Sequence, residues 1–421
     1  MELREPPSYT QLPNSSLETK LQSLIKIYHP GYTPPAPLIV LRAFDDGKLL
    51  YNMVYIACCI ILGNVWTDDE GYDTSNTTGP FLSLSSEPGN TRFIPQDSMI
   101  PAGTYYLHYP GYRKRRPYPI VPHFNHWKFP DKLPKSWEEL RSPTTSRAST
   151  TSSSRSRIPS AYDPERMPCP LTGQVSVLER SHILPSTTTT TFIKRNNMRR
   201  FLRSHKFAPM HLNPGNTIFF RKDCHTLWDS NAITFVPKPD SSERDRLRLV
   251  CHVLNPPGKS VDSDMEIYSL YHNTPILPIH HPIEFLFARF GWSLFTSHVI
   301  VLFADDDGKS KYSVLIRDMK KDKIVDELCT VASLPRLTTK AAGIEAKQVA
   351  GEKHDLDDSE LFQVGEPEDV SDRFYSVRTG LMERFDDGAE SGDCSLSSHS
   401  SHDPFSDLSD DSEPPRKKSR S

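Results

Sequence analysis

"GNTIFFRKDCHTLWD", residues 215–229, decides how this chain is read. It gathers an amide (Asn216), two acids (Asp223 and Asp229), a thiol (Cys224), an imidazole (His225) and an indole (Trp228) around one apolar run, more chemistry than a plain hairpin needs. The pattern reads as a strand over NTIFF that passes directly into a helix with His225 on its first turn. Upstream, "CPLTGQVSVLERSHILP", residues 169–185, shows an apolar alternation through Val175 and Val177. It leads to a histidine followed by Ile-Leu-Pro, which reads as a strand ending in a turn. Strand, long connection, strand and helix thus carry His182, Asn216 and His225 in that order.

Outward from this stretch, charge is the next signal. Residues 355–413 hold eighteen acidic and three basic side chains, a net of −15, which leaves +12 on the rest of a chain whose total is −3. The span 180–222 holds nine basic residues and no acid: Arg180, Lys194, Arg195, Arg199, Arg200, Arg203, Lys206, Arg221 and Lys222. Such a block attracts polyanions, with an affinity that falls steeply as salt rises. A solvated basic face is the ordinary alternative, but this block brackets the motif, which favours a nucleic-acid surface. "YRKRRPYPIVPHFNHWKF", residues 112–129, is a second basic cluster interleaved with aromatics.

Composition divides the chain. Pro is abundant at 37 residues and apolar residues make up 36 %, so folded cores are interrupted by long coil. Residues 1–35 read as a partly ordered arm, 36–137 as a small mixed α/β domain, and 138–165 as a linker. Within 142–160, twelve of nineteen residues are Ser or Thr, which cannot bury a core. A second folded unit runs over 166–240, with an extension at 241–335 packed on it. Residues 350–421 read as a disordered acidic tail that closes on the basic cluster "PPRKKSRS".

The seven cysteines form no CxxC pair and no N-terminal hydrophobic signal is present, which points to a reducing compartment, nucleus or cytoplasm. Two apolar runs were weighed as membrane spans. Residues 51–62 are too short for a span of about 20 residues. Residues 282–303 carry Glu284, Arg289 and His298, charged or polar groups that favour a buried helix running into a strand. The protein is therefore expected not to enter a membrane.

His182, Asn216 and His225, with an Asn-x8-His spacing, resemble the HNH motif. Residues 169–238 look like the HNH endonuclease domain carried by a large group of fungal proteins, and flanks such as "YHPGY", "ACCIILGNVW" and "LFARFGWSLF" look similar to the same group. The resemblance implies an α+β protein in which a ββα-metal finger is embedded in a mixed α/β chain with long disordered segments. It implies a metal-dependent endonuclease acting on DNA in preference to RNA, with Mg²⁺ or Mn²⁺ as the cation and Zn²⁺ as a further option. His182 is then the base that deprotonates water, His225 a metal ligand and Asn216 the brace that orients the base. Many members place a metal-binding Asp or His just before the first His, where this chain has Ser181, so extra coordination has to come from Asp223, Asp229, water or phosphate. That substitution keeps a second reading open, a catalytically degenerate finger retained for nucleic-acid binding or regulation. The basic insert between His182 and Asn216, with a helix expected over "KRNNMRRFLRSHK", would clamp a substrate backbone.

Overall fold

The apolar run at 51–62 forms the first long helix because it has no polar face to expose: every residue of α1 (Tyr51–Ile61) except Asn52 is buried. Around it stand five strands, β2 (Pro37–Arg42), β3 (Lys48–Leu50), β4 (Phe81–Ser83), β5 (Met99–Pro101) and β6 (Gly103–His108), and before it β1 (Leu24–Tyr28). β1 pairs antiparallel with β2 and parallel with β6, and β6 pairs antiparallel with β4, giving a sheet in the order β2-β1-β6-β4. β3 and β5 form a separate antiparallel pair. In this computed structural model the described residues are 23–32, 36–72, 78–87, 92, 93, 95, 97–110, 117–141, 167–202, 213–240, 246–255, 261–279, 281–296, 299–303, 310–318, 321 and 323–334. The arm before residue 23, residues 111–116 of the second basic cluster, the Ser/Thr stretch at 142–166, Arg203, Lys206, and the acidic tail with its basic end lie outside them.

After the short helix α2 (Lys135–Glu138), the chain builds the part that carries the candidate site. β7 (Leu178–His182) pairs antiparallel with β8 (Thr217–Arg221), in register from Leu178 opposite Arg221 to His182 opposite Thr217. β8 runs without a break into α4 (Lys222–Asp229), and the connection between the strands carries α3 (Ser186–Arg195). A second hairpin, β9 (Ile233–Pro239) with β10 (Leu247–Val253), follows, then α5 (Val261–Tyr271), α6 (Ile283–Leu294) and the hairpin β11 (Lys311–Asp318) with β12 (Lys323–Thr330). Helix and strand are mixed throughout, consistent with an α+β fold.

Aromatic side chains join the two halves. Trp127 is fully buried, donates from Nε1 to Asn64 Oδ1 at 2.7 Å and stacks with Phe192 of α3 at 5.9 Å between ring centres. Gly291 lets α6 reach it, since a Cβ there would stand 2.9 Å from the Trp127 ring. Under the β7–β8 hairpin, Trp228 meets Phe220 at 5.2 Å and Phe235 at 4.9 Å, so helix α4 and β9 share one core.

Three local expectations are corrected. Val175 and Val177 do not belong to the strand: they are exposed, Val177 has φ 55°, and pairing starts at Leu178. A left-handed backbone takes the chain out of extended geometry, so the alternation there is not a sheet face. The insert's helix is the Thr-rich run 186–195, not the basic stretch. Asn197 at φ 51° ends regular helix and leaves only a 3₁₀ turn at Met198–Phe201. Burial of Phe192 and Ile193 overrides the poor helix propensity of threonine. Finally, the 282–303 run gives the buried helix α6 but no strand among its described residues. No helix among the described residues is long and apolar enough to cross a membrane.

Candidate active site

Because side chains alternate along a strand, Glu179 and Ser181 of β7 share one face, the face that α4 covers. The contacts follow from that. Glu179 Oε2 lies 2.9 Å from His225 Nδ1, and Ser181 Oγ donates to Asp229 Oδ1 at 3.3 Å. One helical turn links the two ends, since His225 and Asp229 stand four residues apart and His225 Nε2 lies 3.1 Å from Asp229 Oδ2. The cluster is open to solvent on one side: Ser181 is fully buried, while the side chains of His225, Glu179 and Asp229 are 22 %, 40 % and 60 % exposed. The His225 hydrogen bond holds the Glu179 carboxyl below its ordinary range, and Lys222 Nζ at 3.8 Å from Oε1 adds to that.

His182 ends β7, and alternation places its side chain on the face opposite Ser181. Its carbonyl accepts from Trp228 Nε1 at 3.0 Å, and its Nε2 is out of solvent contact. Asn216 is fully buried and works on the main chain just after His182. Its Oδ1 accepts from Leu184 N–H at 2.9 Å, its Nδ2 donates to Leu184 O at 3.2 Å, and its own carbonyl accepts from Ile183 N–H at 2.7 Å. With both ends of the carboxamide so engaged, Asn216 braces the chain at 183–184 and does not reach toward a cation.

The hairpin and helix thus gather Ser181, His225 and Asp229, hold His182 at the adjoining strand end and use Asn216 as a tie. Residues 169–236 match the family model described as HNH endonuclease. The matched HNH segment contains β7, α3, β8 and α4 and points to a nuclease with a nucleic-acid substrate. No curated protein and no solved structure matches the chain.

Other candidates in the HNH segment sit elsewhere. Asp223 is committed to Arg221, whose Nε donates at 2.6 Å, and to Tyr271, whose hydroxyl donates at 2.5 Å. The Arg221 bond, outweighing burial, holds the Asp223 carboxyl well below the usual carboxylate range. Arg221 is therefore tied down as well. Arg180, Lys222, Arg199 and Arg200 are exposed or nearly so, and Arg200 stacks over the Phe201 ring at 4.7 Å. Arg195 gives its carbonyl to Arg317 Nη2 at 3.0 Å. Cys169 and Cys224 are buried and hydrogen-bonded to each other. That contact pulls the Cys169 thiol down to about 5 and pushes Cys224 up.

Sequence reasoning missed Glu179. The signal was present, since Glu179 lies two residues before Ser181 and so on the same strand face, but the facing residue became known only once the register fixed α4 over that face.

Whether a cation fits can be asked of these atoms. Two ligands each about 2.1 Å from an octahedral Mg²⁺-type ion sit about 3.0 Å apart. The 3.1 Å between His225 Nε2 and Asp229 Oδ2 matches that edge. Glu179 on the opposite ring nitrogen is the carboxylate partner that fixes the orientation of a metal-ligating histidine. Among the described residues, however, no group of three or more His, Cys, Asp or Glu side chains is arranged to hold a metal ion. The fit is to an ion that keeps most of its shell in water and phosphate, as Mg²⁺ and Mn²⁺ do, and less to the four-ligand set of structural Zn²⁺.

Proposed function

We propose that the chain is a divalent-metal-dependent endonuclease that hydrolyses phosphodiester bonds, with DNA in preference to RNA, in a site built on the β7–β8–α4 unit as a ββα-metal finger. The observation that carries this reading is the paired His225 Nε2 and Asp229 Oδ2, 3.1 Å apart, with Glu179 behind the ring, inside the HNH segment. His225 and Asp229 would hold the cation, and Glu179 keeps the His225 ring turned so that Nε2 faces outward. When bound, the ion supplies positive charge to the scissile phosphate and the leaving oxygen. His182 takes a proton from the attacking water. Its Nε2 is sealed from solvent, so in this reading the proton is taken at Nδ1. Asn216 holds residues 183–184 and through them the strand end that carries His182. Arg180, Arg199, Arg200 and Lys222 contact substrate phosphates without reading sequence.

The test is nicking of supercoiled plasmid by the full chain with Mg²⁺, Mn²⁺ or Zn²⁺. Wild type should nick in Mg²⁺ or Mn²⁺, and His182→Ala should lower the rate about 10²–10⁴-fold while DNA binding persists. Ser181 favours a second reading, because it places a buried hydroxyl beside Asp229 where a charged ligand would complete the set. In that case the protein binds nucleic acid without cutting it, and the assay would show salt-sensitive binding and no cleavage in any metal. A nuclear or cytoplasmic setting belongs to the same proposal, and imaging a fluorescent fusion with and without residues 416–420 tests it.

A further inference from the structure

Arg289 of α6 lies well beyond the HNH segment and is 1 % exposed. Its guanidinium carbon stands 4.4 Å from the centre of the Trp228 ring. Nη1 donates to Ile183 O at 3.3 Å, and Nη2 donates to Trp228 O, which also accepts from Asn231 N–H at 3.0 Å. One planar group therefore bonds the residue after His182 and the residue before Asp229. Those two carbonyls belong to different elements, the end of β7 and the last turn of α4, and no covalent connection shorter than the whole insert and β8 joins them.

Such a residue is a costly way to fill space. Burial pushes the guanidinium down to about 9, the Asp229 charge opposing it, and Nε has no hydrogen-bond acceptor among the described residues. An apolar side chain of similar volume commonly does as well or better in a core position. A rigid fork that spans two carbonyls does what an apolar chain cannot.

We propose that Arg289 is a positioning residue that sets the separation and orientation of His182 and Asp229, the base and one cation ligand of the nuclease reading on which this inference rests. Two full-chain variants test it. Arg289→Met removes fork and charge, and Arg289→Lys keeps the charge alone. Both should lower kcat for plasmid nicking about 10–100-fold, the usual effect of losing an outer partner of a metal site, with KM and DNA affinity within twofold of wild type. Mn²⁺ binding, followed by electron paramagnetic resonance of the free ion, should weaken about tenfold in both. The sign is informative, because loss of a nearby cation by itself would tighten Mn²⁺ binding.

Several results would overturn the proposal: unchanged kcat in the Met variant, wild-type kcat in the Lys variant, a rise in KM in place of a fall in kcat, or tighter Mn²⁺ binding. If circular dichroism shows the Met variant unfolded, the Lys variant carries the same test, and unfolding of both would assign Arg289 to the core alone. A wild-type chain that nicks in no metal would sink the nuclease reading itself, and the Mn²⁺ affinities would still decide the positioning role.

Discussion

Two histidines of this chain stand against carboxylates in opposite ways. His272 is nearly sealed, with 2 % of its side chain exposed, and its Nε2 lies 2.8 Å from Asp45 Oδ1. Lys238 Nζ meets the other oxygen at 2.8 Å and Asn273 Oδ1 at 2.6 Å, and Asn273 Nδ2 donates back to Asp45 at 2.6 Å. Burial pushes the Asp45 carboxyl up, but the His272 hydrogen bond and the Lys238 charge win and hold it far below its usual range. One acid is matched by one cation and every oxygen is used, so the cluster is finished without a ligand and joins the turn at Asp45 to β9. His225 stands between two acids, Glu179 and Asp229, with only an exposed Lys222 nearby, and one side of the cluster is open. Balanced and sealed marks a strut; acid-rich and open marks a place for a cation.

The largest expected effect separates the two directly. Lys238→Met leaves Asp45 buried without its cation and should cost about 3–5 kcal/mol, read as a fall in the urea midpoint. Asp229→Asn removes an acid that is 60 % exposed and should change stability by less than about 1 kcal/mol. Equal losses would erase the distinction.

Acid should find the sealed histidines next. Burial is the main cause that lowers His29, His123 and His126 to about 4. His29 shows why. Its Nδ1 accepts from Gly31 N–H at 2.9 Å and its Nε2 lies 3.1 Å from Tyr118 O, a pair of roles that only the neutral ring can fill. A depressed folded pKa for a histidine means that the unfolded chain takes the proton first as pH falls. Stability is therefore full above about 6.5 and is lost toward pH 4, by about 3 kcal/mol for each group. Tm should drop over that window, and a flat profile would contradict neutral interiors at these three positions.

A smaller effect belongs to Glu179→Gln, which keeps a hydrogen-bond acceptor but loses charge. Nicking should fall about tenfold with Tm little changed. Smallest are the exposed cations: each of Arg180→Ala, Arg199→Ala and Lys222→Ala should reduce the salt slope of DNA binding by about one and leave cleavage per bound substrate as it was.

Much of this was legible in the residues themselves. The strand–helix passage at 217–229 follows from an apolar run that changes period, and α1 and α6 follow from apolar stretches with no polar stripe. Long-range geometry was not legible. Val175 and Val177 imitate a strand, and only the register shows that pairing begins at Leu178. The Thr run at 186–191 opens a helix because Phe192 and Ile193, further along it, find a core supplied by Phe124 and Trp127, far away in sequence. Glu179 and Arg289 act through partners on other elements, and such pairing leaves no mark in local pattern. Asn216 was expected at the reacting centre. Its carboxamide is instead spent on Leu184, a tie that spacing alone does not reveal.

Titration of the full chain with Mn²⁺, read from the resonance of the free ion, tests the central claim most directly. One ion should bind to wild type and be lost in Asp229→Asn, with circular dichroism unchanged between the two. Equal binding in both proteins, or none in wild type, would contradict the assignment of His225 and Asp229 as cation ligands.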